Sequence, residues 1–203
     1  MSQIRFNNYF NEKLSDSLAV KKKINSIKFK KLLLKCADQI KDSILSGGKI
    51  LLCGNGGSAA DAQHLVAEFL VRLRPHVDRN PIPAISLAMD TSTITACAND
   101  YSFNHLFSRN LEALGNKKDI LIAISTSGNS KNILEVLKKA KKKEIFSIAM
   151  LGNTGGKAKK LSDLNLIIPS KNTARIQECH IFLGHIIFEY VENILILRKN
   201  KES

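Results

Sequence analysis

Ile50-Leu51-Leu52-Cys53-Gly54-Asn55-Gly56-Gly57-Ser58 is a short, wholly apolar run that breaks into glycine and opens a helix at Ala59. A strand that is apolar at every position is buried on both faces, as in a parallel sheet covered by helices. Outward from it, four more runs repeat the pattern: Ala84–Leu87, Ile120–Ile124, Ile145–Leu151 and Leu164–Ile168. Helical stretches near 58–71, 91–98, 104–114 and 131–142 separate them, and a long last helix runs from about Ala174 to Leu197. Upstream, residues 7–46 carry apolar positions at helical spacing: Tyr9, Phe10, Leu14 and Leu18, then Ile27, Leu32, Leu33, Cys36, Ile40 and Ile44. Gly47-Gly48 ends that second helix. The predicted fold is a doubly wound α/β domain with a mainly parallel five-stranded sheet and an added N-terminal helical hairpin. One domain is expected over 1–203, with the N-terminal helices in 1–48 and the α/β core in 49–203.

The composition fits such a core: of 203 residues 44% are hydrophobic and 24% charged, without repeats or a Pro/Gly/Ser linker. No apolar run is read as approaching the ~18–20 residues of a membrane span. The opening MSQIRFNNYFNEKLSD lacks an apolar signal core, so a cytoplasmic protein is expected. Cys36, Cys53, Cys97 and Cys179 are scattered without metal spacing, and read as small core residues in a reducing compartment. The net charge is +13, and the excess is mainly Lys, in runs such as 21–23, 138–143 and 157–160. Nucleic-acid recognition leans on Arg, and on aromatics where strands are single. Here aromatics are 6%, Trp is absent and the basic runs carry no rings, so solvated helix faces are expected rather than nucleic-acid contact.

Ligands of a doubly wound sheet sit where strands turn into helices. Two such turns stand out: Gly54 to Ser58 after the first run, and Ser125-Thr126-Ser127-Gly128-Asn129-Ser130 after the third. Each offers free N–H groups and hydroxyls at a helix N-terminus, where the dipole attracts anions. Together they point to a phosphate or sugar-phosphate site. Neither is G-x-x-x-x-G-K-[ST] nor G-x-G-x-x-G, so a nucleotide cofactor is not expected. His64 and Glu68, four apart on one helix face, suit a metal or an acid/base pair. The last helix supplies Gln177, His180 and His185; from Gln177, His180 lies about −60° and His185 about +80° around the axis. Either histidine can share the cavity of Gln177, and spacing alone does not choose.

Gly54-Asn55-Gly56-Gly57-Ser58, Gln63-His64-x-x-x-Glu68, Ala98-Asn99-Asp100, the 125–130 loop and Ala174-Arg175-Ile176-Gln177-Glu178 resemble the sedoheptulose 7-phosphate isomerases of the sugar isomerase (SIS) domain class. The resemblance runs in order from about residue 10 to 197 and implies a flavodoxin-like SIS fold. It implies conversion of sedoheptulose 7-phosphate to D-glycero-D-manno-heptose 7-phosphate through an enediol, toward lipopolysaccharide, capsule or other surface glycans. It implies zinc held by His64, Glu68, Gln177 and His185, with Glu68 and His185 catalytic. Substrate contacts are implied at Asn55, Gly56, Gly57, Ser58, Glu68, Asn99, Asp100 and Gln177, with Ser125, Thr126, Ser127 and Ser130 holding the phosphate. Ala174 stands where some members carry an acid, so no role of that acid applies here. A homotetramer with sites at subunit interfaces is implied too, within reach of Arg72. The alternative is a non-catalytic SIS protein of the replication initiator-associating type, acting by protein contact. Those relatives tend to lack the acid and second histidine that Glu68 and His185 supply. A sugar-phosphate-sensing regulator would bring a further domain, for which the chain has no room.

Overall fold

β1 (Ile50–Cys53), buried at all four positions, lies between β2 (Ala84–Ser86) and β3 (Ile120–Ser125), with β4 (Phe146–Gly152) and β5 (Leu164–Ile168) beyond. All pairings are parallel, in the order β2-β1-β3-β4-β5. The protein is seen in a computed structural model that describes residues 3–88 and 90–202, with side-chain surroundings to residue 197. The helices are α1 (Gln3–Ile24), α2 (Ile27–Leu45), α3 (Gly57–Leu70), α4 (Thr91–Asp100), α5 (Leu106–Leu114), α6 (Lys131–Lys142) and α7 (Thr173–Glu202). The doubly wound α/β fold expected from the apolar runs is therefore present, with boundaries moved by a residue or two, except that the first helix begins at Gln3 and the last runs on to Glu202.

Because strand side chains alternate between faces, each strand serves two cores. Ile50, Leu52, Ile122 and Met150 pack toward α2, α3 and α7, while Leu51, Ala123 and Leu151 pack toward α5 and α6. Each such fully buried Leu or Ile stabilises the fold by roughly 1.5–3 kcal/mol. The Ser26 hydroxyl accepts from the Phe29 N–H at 3.2 Å and starts α2. Gly47, at φ 83°, ends α2 in the left-handed turn that glycine adopts without strain.

α1 rides on the start of α7. The Ser17 hydroxyl donates to Glu178 Oε2 at 2.8 Å, and the Arg175 guanidinium donates to the Lys13 carbonyl at 2.6 Å. Of its apolar positions Val20 and Ile24 are buried, whereas Phe6, Tyr9, Phe10, Leu14 and Leu18 are exposed. α7 corrects one expectation from the sequence. Thr173–Leu197 is long and apolar enough, by length and composition, to cross a membrane. Charged residues spaced along it hide that continuity from a search for unbroken apolar runs. Its inward face, with Ile176, Leu183, Phe188 and Val191, packs into the core against α2 and α3, as the central helix of a folded domain does.

Strand order reverses between β1 and β3, and the crevice at such a switch is where open α/β sheets bind ligands. β1 and β3 are paired from Ile50↔Ile120 to Cys53↔Ala123, so their following loops, 54–58 and 125–130, emerge side by side.

Candidate functional site

At the end of β1 the chain turns through Gly54, Asn55 and Gly56 and enters α3 at Gly57. Asn55 is tied to the neighbouring loop: its amide donates to Asn132 Oδ1 at 2.9 Å and accepts from Asn132 Nδ2 at 2.8 Å. Asn132, buried in the first turn of α6, therefore holds the two loops together, a role the sequence reading missed. Ser58 is buried, and its N–H closes the turn onto the Asn55 carbonyl at 3.0 Å.

The second loop is shaped by its own hydroxyls. Ser125 Oγ accepts from the Gly128 N–H at 3.1 Å and lies 3.4 Å from Ser130 Oγ, and Ser127 Oγ accepts from the Asn129 N–H at 3.1 Å. Gly128, at φ 63°, lies so close to the 152–156 turn that a Cβ there would sit 2.1 Å from the Gly155 carbonyl oxygen. Ser130 sits at the N-cap of α6 without bonding its first N–H groups through the side chain. The result is a helix N-terminus rimmed by Thr126, Ser127 and Ser130, suited to a phosphate.

The chemistry-bearing cluster lies between α3 and α7. His64 Nε2 is 2.9 Å from His185 Nε2 and 3.3 Å from Glu68 Oε1, and one ligand atom from each of the three lies within 4.8 Å of the others. Two ligands of one zinc at Zn–N ≈ 2.0–2.1 Å and a tetrahedral angle are roughly 3.3 Å apart. The set of two imidazoles and a carboxylate thus fits a divalent ion in both spacing and chemistry. Gln177, on α7, meets the start of α3 instead: a Cβ on Gly57 would lie 2.5 Å from Gln177 Nε2, and Gly57 is two helical turns, roughly 10 Å, before His64.

The two histidines left open by helical spacing are separated by their partners. His185 faces His64 and is half-buried. His180 is fully buried, with Nε2 3.2 Å from the Leu151 carbonyl of β4 and Nδ1 unpartnered. Burial lowers its pKa to about 4, against a partial rise from the Leu151 contact. It is a neutral core side chain at ordinary pH.

Asn99 and Asp100 end α4, exposed, with the Asn99 amide donating to Asp100 Oδ1 at 2.7 Å. Among the described residues no hydrogen bond joins them to the cluster. Arg72 is exposed just beyond α3. Asp61 was not singled out from the sequence. Its Oδ2 is buried without a hydrogen-bond partner, and burial raises its pKa against the opposing pull of His64 and His185. The signal was its place three residues before His64 on the same helix face.

The model of the SIS domain matches residues 14–152. The chain is 50% identical over 165 residues to a phosphoheptose isomerase of Chlorobaculum tepidum, covering 81% of this chain and 79% of that protein. It is 47% identical over 181 residues to one of Helicobacter pylori, covering 89% and 92%. The structure of a phosphoheptose isomerase from Neisseria gonorrhoeae superposes with a TM-score of 0.86 at 37% identity, over 93% of this chain and 99% of that one.

Proposed function

The chain belongs to the SIS domain family and, within it, to the phosphoheptose isomerases, and on that premise we propose that His64, Glu68, Gln177 and His185 form its metal-assisted catalytic centre. Its activity is that of an aldose–ketose isomerase acting on sedoheptulose 7-phosphate. The observation that carries the site assignment is the convergence of His64, Glu68 and His185 from two helices, α3 and α7. Relatives at this identity are enzymes, and the acid and second histidine of the set are both in place, so the non-catalytic alternative is not favoured.

The substrate phosphate is held by Ser125, Thr126, Ser127 and Ser130 with the first N–H groups of α6. Asn55, Gly56, Gly57, Ser58, Asn99 and Asp100 line the sugar. A zinc ion held by His64, Glu68, Gln177 and His185 would supply Lewis-acid polarisation of the substrate carbonyl. Glu68 takes the proton from C1 of the ketose and returns it at C2, so one carboxylate serves both carbons of the enediol. One of its oxygens faces His64 at 3.3 Å, and the second oxygen is the one assigned to the proton. His185 moves the proton between the two substrate oxygens. Gln177 is neutral, so it orients and coordinates without exchanging a proton.

The active assembly is a homotetramer with sites at subunit interfaces. The exposed apolar row Phe6, Tyr9, Phe10, Leu14 and Leu18 along α1 supports this, because such patches mark surfaces that a partner covers. Cytoplasmic placement is supported by four free, buried cysteines. The heptose product is destined for a surface glycan, lipopolysaccharide or capsule.

The proton route is tested by running the reaction in D2O. Deuterium is expected at C2 of the heptose product, because the C1 proton passes through an exchangeable carboxyl. Product and recovered substrate both free of deuterium, together with turnover retained in Glu68→Gln, would mean a direct hydride shift and remove the base role of Glu68.

A further inference from the structure

The catalytic cluster is split between two helices, His64 and Glu68 on α3 and Gln177 and His185 on α7, so its geometry depends on how those helices are joined. Gly184 permits their close approach, since a Cβ there would lie 2.7 Å from Leu65 Cδ1. One turn further, Phe69 stacks on Phe188 with centroids 3.7 Å apart and planes 17° from parallel. Beyond that stack the joint becomes ionic. Arg79, from the loop after α3, donates through Nε to Glu192 Oε1 at 2.6 Å. Its Nη2 donates to the carbonyl of Glu68 at 2.7 Å, and its Nη1 to the carbonyls of Phe69 at 2.9 Å and Asn80 at 3.0 Å. The Arg79 and Glu192 side chains are only 6% and 1% exposed.

The last carbonyls of a helix have no partner within it, and a cation there is favoured by the dipole. Arg79 meets that need with a planar fork that Lys cannot reproduce. The carbonyl it holds is that of Glu68 itself. Glu192 lies seven residues after His185, two turns further along nearly the same face of α7. Buried ion pairs are poor sources of net stability compared with apolar packing, and here Phe69 and Phe188 already supply the packing.

We infer that the Arg79–Glu192 pair is a positioning device for the reaction: it fixes the backbone of Glu68 against α7 and thereby sets the Glu68 carboxylate opposite His185. This rests on the catalytic centre assigned above. Arg74 provides the contrast. It reaches Glu192 Oε2 from the outer side at 2.8 Å and Asn193 Oδ1 at 2.6 Å, and among the described residues it makes no hydrogen bond to α3.

The test compares Arg79→Lys, Glu192→Gln and Arg74→Gln in the full chain, reading zinc affinity by competition with a chromophoric chelator, thermal midpoint, kcat and KM. Arg79→Lys and Glu192→Gln are expected to weaken zinc binding about 10–100-fold, as loss of a partner supporting a ligand does. Their kcat falls while KM for sedoheptulose 7-phosphate stays near wild type, because the sugar and phosphate loops belong to β1 and β3. Arg74→Gln lowers the thermal midpoint alone. Wild-type zinc affinity and kcat in a folded Arg79→Lys, at a lowered thermal midpoint, overturn the inference and leave the pair a structural clamp. If Arg79→Lys does not fold, Glu192→Gln reads the same contact from α7 with the same two outcomes. A wild-type protein that turns over without binding zinc removes the metal assignment instead, and the inference is then decided by whether kcat falls in these variants.

Discussion

Glu68→Gln keeps the fold and much of the affinity for sedoheptulose 7-phosphate while kcat falls by about 10²–10⁴-fold, the usual contribution of a positioned acid–base group. The substitution is isosteric, sits in the last turns of α3 and leaves its carbonyl available to Arg79. A Gln side chain offers an oxygen to a metal but cannot accept and return a proton at neutral pH. The loss therefore falls on the chemical step. Far-ultraviolet circular dichroism, substrate-analogue binding and steady-state kinetics separate these contributions. Turnover near the wild-type rate in the folded variant would mean that another group moves the proton, and Asp61, half-buried near His64 and His185, would be the next to test.

His185→Ala and His180→Ala separate the two histidines of α7 in opposite ways. Removing His185 takes one of the three convergent ligand groups, so metal and activity are lost together, by more than the ~10–100-fold typical of an outer-shell partner. Removing His180 leaves the cluster intact and opens a cavity under β4, costing about 2–4 kcal/mol by analogy with other large-to-Ala core changes. Its ionisation gives a further signature. The pKa of His180 is about 4 in the fold against 6.5 for the free side chain, so the unfolded chain binds the extra proton between those values. Wild-type stability is unaffected by this group above pH 6.5 and falls by up to about 1.4 kcal/mol per pH unit as pH drops from 6.5 toward 4. Denaturant unfolding of His180→Ala should lack that component. His185→Ala with wild-type zinc content, or His180→Ala without it, would reverse the assignments.

What the sequence discloses follows from how each part of the fold is held. β1 and β3 are buried on both faces, so they stand out as unbroken apolar runs, and the small residues after them are needed wherever the chain turns tightly at a helix entrance. The fold and the two loops proposed to hold the substrate are therefore legible. The choice between His180 and His185 is not legible from spacing, because helical period fixes direction around α7 but not what lies in that direction; the resemblance picked His185. The Leu151 carbonyl of β4 and His64 of α3 separate their surroundings, and both are distant in sequence. Asn132 and Arg79 escape for the same reason: their partners, Asn55 and Glu192, are brought to them only by the folded sheet and helices. The row from Tyr9 to Leu18 reads correctly as a helix face, but its exposure, and that of Phe6 before it, becomes visible only once α1 is seen lying along α7.

The most direct test of the assigned centre is turnover of sedoheptulose 7-phosphate by the purified protein before chelation, after chelation and after zinc is restored. Turnover that disappears with the chelator and returns with zinc is the expected result. Full turnover in chelator, by protein shown to be free of metal, would contradict the placing of a metal at His64, Glu68, Gln177 and His185.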